Sequence, residues 1–263
     1  HIFNTFCRYL YSNNLLKIHL INQAKETVLH CMIDNWFKAM YSNELTGAIF
    51  PALCEPFDNV NYKILLHKLS FFGICEKTHK WFESYLTGRT QCVRWKGVYS
   101  NEESVTVGVP KSSKLGGLLL TLFMNDYPDC MEHAKVTMYV DNIALSFSNA
   151  SVPDIECKLH KDLEKSLIWM KKNMIKVNLN RTTSMLIGTY RKLRNEKFHI
   201  KIEDHVIKTY NTISFLGVQI DRQLTWSDHI ESIRKKISQE LIDLKQMRKL
   251  SLIHISEPTR PLY

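Results

Sequence analysis

Val136–Phe147 reads VTMYVDNIALSF, and no other stretch restricts the fold of this chain as tightly. Apolar, β-branched and aromatic residues run up to Asp141-Asn142 and resume directly after it. That is the pattern of two short strands meeting at a tight turn. A hairpin fixes a turn carboxylate more firmly than a loose loop does, so Asp141 is well placed to grip a metal ion at a sheet edge. On its own the dipeptide is also ordinary turn chemistry, because Asp and Asn side chains bond their own backbone and tolerate positive φ.

The residues around the turn decide between these readings. Tyr139-Val140-Asp141-Asn142 resembles the Y-x-D-D turn of reverse transcriptases, with Asn in place of the second Asp. From about Tyr9 to Lys249 the order of segments is similar to the polymerase of non-LTR (LINE-type) retrotransposons. LTGAIFPALCEPFDNVNYKILLHKL, from Leu45, resembles motif A, and WFESYLTGRTQCVRWKGVYS, from Trp81, the segment after it. VTVGVPKSSKLGGLLLTLFMNDYPD, from Val105, is similar to motif B, NLNRTTSMLIGT, from Asn178, to motif D, and SFLGVQIDRQLTWSDHI, from Ser214, to the primer-grip region. The resemblance implies an α+β fold: a polymerase palm, an antiparallel sheet with helices on one face, with partial fingers before it and a partial thumb after it. It divides the chain into fingers at 1–45, palm at 46–190, and primer grip with the start of the thumb at 191–249.

Residue by residue, the resemblance also implies a damaged site. It puts the metal-binding Asp of motif A at Ala52, between the flanks Ala48-Ile49-Phe50 and Phe57-Asp58-x-Val60. Asp58 falls on a second acidic position, six residues further on, and is not the expected ligand. Phe57 takes the place of the bulky residue beneath the sugar. Pro51 is out of place in a central strand, since it removes a ladder hydrogen bond. In motif B, Gly108, Val109, Pro110, Ser113, Leu115 and Gly116 keep the pattern, while the nucleotide-contacting Gln is Lys111 and the next Gly is Ser112. Arg181-Thr182 stands for Lys-Thr of motif D, and Arg cannot easily release a proton. The family's Gly-Phe-Arg loop is missing from Ile18–Thr27, IHLINQAKET. Leu216 and Gly217 fall in the primer grip.

Two-metal nucleotidyl transfer uses a pair of divalent ions about 3.5–4 Å apart, which carboxylates must place. The cofactor implied is Mg²⁺ or Mn²⁺, and the partners are an RNA template and a DNA primer. With Ala52 and Asn142 in two of the acidic positions, Asp141 is the remaining metal ligand, so the expectation is a polymerase fold without useful polymerase activity. The alternative is a non-catalytic nucleic-acid-binding remnant of a decayed element.

Charge and composition fit both. A net charge of +9 suits a polyanion. Seven cysteines without a C-x-x-C pair suggest reduced, mostly buried thiols in an intracellular protein. No apolar run approaches the ~20 residues of a membrane span. Helices are expected over Asn22–Tyr41 (Leu29, Ile33, Trp36 and Met40 inward), Asn59–Ser70, Glu76–Leu86, Leu115–Met124 and from Ser151, with a hairpin over Lys197–Lys208. A last helix capped by Ser227 carries Ile230, Ile233, Ile237, Leu241 and Leu244. Arg89, Arg94 and Lys96 with Trp95 form a basic and aromatic cluster suited to nucleic acid, or equally to a solvated strand face. Leu250–Arg260, LSLIHISEPTR, resembles a translated sequencing-library adapter, so 250–263 is set aside as an artefact. The chain starts at His1, which suggests a fragment.

Overall fold

The computed structural model describes residues 2–13, 15–16, 24–111, 113–202 and 205–255. Helices α1 (Ile2–Ser12) and α2 (Lys25–Tyr41) precede strand β1 (Leu45–Phe50). Helices α3 (Tyr62–Phe71) and α4 (Glu76–Leu86) follow, then an arm of four short strands, β2 (Arg89–Gln91), β3 (Arg94–Trp95), β4 (Val98–Tyr99) and β5 (Glu103–Val105). Helix α5 (Lys114–Phe123) and a 3-10 turn at Tyr127–Cys130 lead to β6 (Lys135–Tyr139) and β7 (Asn142–Asn149). The chain continues through α6 (Val152–Lys172), β8 (Thr183–Ile187), α7 (Tyr190–Leu193), β9 (Ile200–Ile202) and β10 (His205–Thr209). It ends in the hairpin β11 (Thr212–Phe215) and β12 (Val218–Asp221) and the long helix α8 (Ser227–Ile255).

Six strands form one sheet in the order β6-β7-β1-β8-β10-β9, antiparallel except where β10 runs parallel to β8. Strand β1 is central and buried on both faces. Its odd residues Leu45 and Ile49 join the large core under α3, α4, α5 and α6, and its even residues Ala48 and Phe50 join a second core. That second core is covered by Met32, Ile33 and Trp36 of α2 and by Ile213, Phe215 and Ile220 of the β11–β12 hairpin. The antiparallel palm with its main helical layer is thus present. The face opposite α6 holds one helix and a hairpin as well.

Close approach sets this architecture at two points. An added Cβ on Gly47 would lie 2.4 Å from Ile155 Cγ2 and 2.8 Å from Leu159 Cδ1, so α6 crosses β1 where no side chain intervenes. The Lys68 ammonium, pushed below its usual pKa by burial, donates to the Phe123 carbonyl (2.7 Å) and to Asp126 (2.6 Å), tying α3 to the end of α5. It also lies over the rings of Phe123 and Trp169.

Several sequence expectations need correction. The central strand in which Pro51 was out of place stops at Phe50, because Pro51 has no N–H to continue the ladder. In α2 the buried stripe is Val28, Met32, Ile33, Trp36 and Ala39, one step round the helix from Leu29 and Met40. Ser151 stands at the N-cap of α6 without making a side-chain cap bond. All seven cysteines are free, but only Cys7 is fully buried, and Cys31, Cys75, Cys92 and Cys157 are exposed. Helix α8 continues to Ile255, through the first residues of the segment set aside above. The chain beyond that point, Glu203-Asp204 and most of the Ile18–Thr27 loop lie outside the described residues. Among the described residues no helix is long and apolar enough to cross a membrane.

Asp221, not Ser227, organises the approach to α8. Burial raises the Asp221 carboxyl, but the N–H groups of Thr225, Trp226 and Gln223 outweigh it, and the net effect holds the group below its ordinary 3.8. A depressed carboxyl pKa stabilises the fold above the unfolded value and loses that contribution as pH falls through the folded one. Thermal unfolding followed between about pH 5 and pH 2 should therefore show a steeper acid loss in the parent than in Asp221→Asn. Equal slopes would remove Asp221 from the acid response.

Candidate active site

The β6–β7 ladder pairs Tyr139 with Asn142, leaving Val140 and Asp141 as a two-residue turn. Val140 has φ +56° and Asp141 does not share the positive sign, the mark of a II′ hairpin turn. Gly is the usual residue at that first position, and a β-branched side chain there is strained. Such strain persists only where the surroundings impose it, and it concentrates at functional sites. Asp141 is half-buried and Asn142 is exposed. The Asn142 amide donates to Asp141 Oδ1 at 3.0 Å, so the second turn residue supplies a hydrogen bond where an acid would supply charge.

Strands β1 and β7 pair Ile49 with Leu145 and Ala48 with Ser146, and Ala52 follows two residues past the end of β1. On the other side β1 pairs Phe50 with Thr183, and past Pro51 the pairing shifts, so that Leu53 bridges Val177 and Ala52 lies against Asn178. Two hydrogen bonds hold this end of the chain. The Ala52 N–H donates to Thr182 Oγ1 (3.2 Å), and the Asn178 N–H donates to the Ala52 carbonyl (2.7 Å). Ala52 is therefore held against the Asn178–Thr182 segment just past the end of β1, with a methyl group where a carboxylate was expected. Arg181 is exposed.

The segments after β1 and before α5 close the site from the side. The Gly108 N–H donates to the Val60 carbonyl (2.9 Å), and the Val109 N–H to the Phe57 carbonyl (2.7 Å). Gly108 has φ +88°, and a Cβ there would lie 2.8 Å from Asp58 Cα, so both conformation and space require glycine. Phe57 is half-buried against the main core. Ser113 is the N-cap of α5: its Oγ accepts from the Gly116 N–H (2.8 Å) and donates to the Pro110 carbonyl (3.2 Å). Ser112 lies outside the described residues.

Lys111 carries the one contact here that the pattern of residues did not suggest. Its Nζ lies 2.6 Å from Asp58 Oδ2, with both side chains about half exposed. The Asp58 hydrogen bond holds the ammonium above its usual pKa, and the charges of Asp58, Glu55 and Asp141 act the same way. A cation built into the chain thus sits in the field of all three carboxylates. Leu216 and Gly217 form the turn of the β11–β12 hairpin, packed on the face of the sheet that holds Phe50 and Phe215.

The family model described as reverse transcriptase (RNA-dependent DNA polymerase) matches residues 43–220. The chain belongs to the reverse transcriptase family. Among curated proteins it is similar to "Probable RNA-directed DNA polymerase from transposon X-element" of Drosophila melanogaster, 26% identical over 238 residues. It is also similar, at 24% identity, to the RNA-directed DNA polymerase from mobile element jockey of the same organism. Each match covers 85% of this chain, and the chain spans about a quarter (25%) of the length of these relatives. Among solved structures it resembles a Candida albicans telomerase in complex with a TWJ fragment of telomeric RNA. That likeness has a TM-score of 0.56 and 12% identity, over 85% of this chain and 36% of that one. A Candida tropicalis telomerase truncated from the C-terminal domain gives TM-score 0.53 at 16% identity, over 78% and 40%. At such identities the likeness establishes the fold alone.

The donor set does not fit a pair of divalent ions. Mg²⁺ requires oxygen ligands at about 2.0–2.1 Å. Ala52 has no side-chain oxygen, Asn142 offers a neutral amide already turned to Asp141, and Asp58 is paired with Lys111. Among the described residues no group of three or more His, Cys, Asp and Glu could hold a metal.

Proposed function

We propose that this chain is the polymerase segment of a non-LTR retrotransposon that has kept the reverse transcriptase fold and lost useful catalysis. In this reading 46–190 is the palm, 1–45 belongs to the fingers, 191–249 holds the primer grip and the start of the thumb, and 250–263 is foreign sequence. An intact relative would take an RNA template and a DNA primer, with Mg²⁺ or Mn²⁺. Phe57, Lys111, Ser113 and Arg181 would form the nucleotide site, and Leu216 and Gly217 the primer grip.

One observation supports the reading: Ala52, two residues past the end of β1, has no side-chain oxygen, and the Asn142 amide is turned to Asp141, so Asp141 is the one acid left of the expected set. Losing metal placement removes several kcal/mol of transition-state stabilisation. At about 1.4 kcal/mol per tenfold, the rate falls by on the order of a thousandfold or more. The second reading, a remnant that still binds nucleic acid, draws support from the +9 charge.

Primer extension on an RNA template, with Mg²⁺ and separately with Mn²⁺, tests the proposal. The parent chain should extend no faster than Asp141→Ala. Template-dependent extension that disappears in Asp141→Ala would overturn the loss of catalysis.

A further inference from the structure

The four short strands between α4 and α5 form a projecting arm. At its root β2 pairs with β5, Arg89 opposite Val105 and Gln91 opposite Glu103. At its tip β3 pairs with β4, Arg94 opposite Tyr99 and Trp95 opposite Val98, across a turn in which Lys96 (φ +46°) and Gly97 (φ +89°) are both left-handed. The root is fixed beside the site: Arg89 Nη2 donates to the Gly108 carbonyl and to the Tyr62 hydroxyl, each at 2.5 Å. Arg89 thus leaves the basic cluster read from the sequence and becomes an anchor. Seven residues separate it from the tip, a reach of about 23 Å at ~3.3 Å per strand residue.

The tip buries nothing against the rest of the chain. Trp95 is 73% exposed and Tyr99 61%, with Val93 and Val98 as open as Trp95. Cross-strand pairing puts Trp95 and Val98 on one face and Arg94 and Tyr99 on the other, where the Arg94 guanidinium lies 5.4 Å from the Tyr99 ring centroid. Exposed aromatic rings flanked by bases are the equipment of single-strand binding. Rings stack on unpaired bases of any sequence, and Arg and Lys meet the phosphates. Two cations at the tip face two acids, Glu102 and Glu103, nearer the root, so the positive end points outward.

We propose that the β3–β4 tip is a single-stranded nucleic-acid-binding finger, with Trp95 and Tyr99 as stacking platforms and Arg94 and Lys96 as phosphate contacts. Charge complementarity with a polyanion selects this occupant over a protein partner. The proposal rests on the nucleic-acid side of the reading above and not on catalysis.

Anisotropy titrations of labelled single-stranded RNA and of an RNA duplex with the full chain test it. A stacked base is worth about 1–3 kcal/mol by alanine substitution. Trp95→Ala should therefore weaken single-strand binding by roughly 5- to 150-fold, with a smaller change for duplex. Trp95→Phe, which keeps a ring, should recover most of that loss. Arg94→Ala with Lys96→Ala should lower the salt slope by about 1.4, at ~0.7 per phosphate on a single strand. Tyr190→Ala, an exposed aromatic elsewhere, should change nothing. Parent-like single-strand affinity in folded Trp95→Ala and Tyr99→Ala would overturn the finger, as would loss of self-association with binding intact. A parent chain that binds no oligonucleotide would overturn both the finger and the remnant reading, whereas binding that ignores the tip would overturn the finger alone.

Discussion

Replacing Ala52 and Asn142 together by Asp should raise template-dependent primer extension by on the order of a thousandfold over the parent chain. Residue 52 follows β1 and residue 142 opens β7, its paired neighbour, so the two changes would return the three acids of the family pattern to the ends of adjacent strands. Each recovered factor of ten corresponds to about 1.4 kcal/mol of transition-state stabilisation, so a few kcal/mol from metal placement suffices. The single changes should give far less than half the effect each, because groups that act as a unit are strongly non-additive. Lys111 limits the gain. Its ammonium, pinned by Asp58 and within the field of Glu55 and Asp141, competes electrostatically with any divalent ion. Adding Lys111→Gln should therefore raise extension further and lower the Mg²⁺ concentration at half-maximal rate. If the double and triple variants fold yet extend no faster than the parent, loss of the acids is not what limits this copy.

The turn and the strands on either side of it were legible in the sequence because they follow from short-range pattern, whereas Ala52 was singled out by the family resemblance alone. Apolar, β-branched and aromatic runs mark β6 and β7 and Asp-Asn marks the turn, while Pro51 was read as an oddity inside a strand that it in fact ends. Lys111 was legible only as a missing Gln. Its pairing with Asp58 joins residues 53 positions apart through two loops, and no periodicity connects them. Arg89 read as part of a basic cluster because charge is visible in sequence and direction is not. In the structure it points inward to Tyr62 and Gly108 while Arg94 and Lys96 stay at the tip. The apolar stripe of α8 was read correctly as a stripe, yet Ile230, Ile233, Ile237, Leu241 and Leu244 are exposed, since a helical pattern records a face without recording what covers it.

Asp162 shows the same limit with a larger consequence. No pattern in the sequence marks it, yet it is fully buried on α6 and receives three backbone N–H groups from the segment entering β6. Glu132 donates to Oδ1 at 3.0 Å, while His133 and Ala134 donate to Oδ2 at 2.8 and 2.5 Å. That carboxylate fixes where β6 begins, and β6 ends at the Asp141 turn. Hydrogen bonds to a charged acceptor are worth about 1.5–3 kcal/mol each. The desolvation cost of a buried carboxylate offsets part of the sum, and Glu132, being exposed, recovers its bond from water. Asp162→Ala should then cost about 3 kcal/mol, a fall of roughly 6–12 °C in Tm for a chain of this size. Asp162→Asn, which keeps one acceptor oxygen, should cost about half as much. Because the loss begins at the base of β6, hydrogen exchange in Asp162→Ala should quicken along Lys135–Tyr139 before it does in β8. A uniform increase across the sheet, or a Tm within a degree or so of the parent, would show that the turn is held without this anchor.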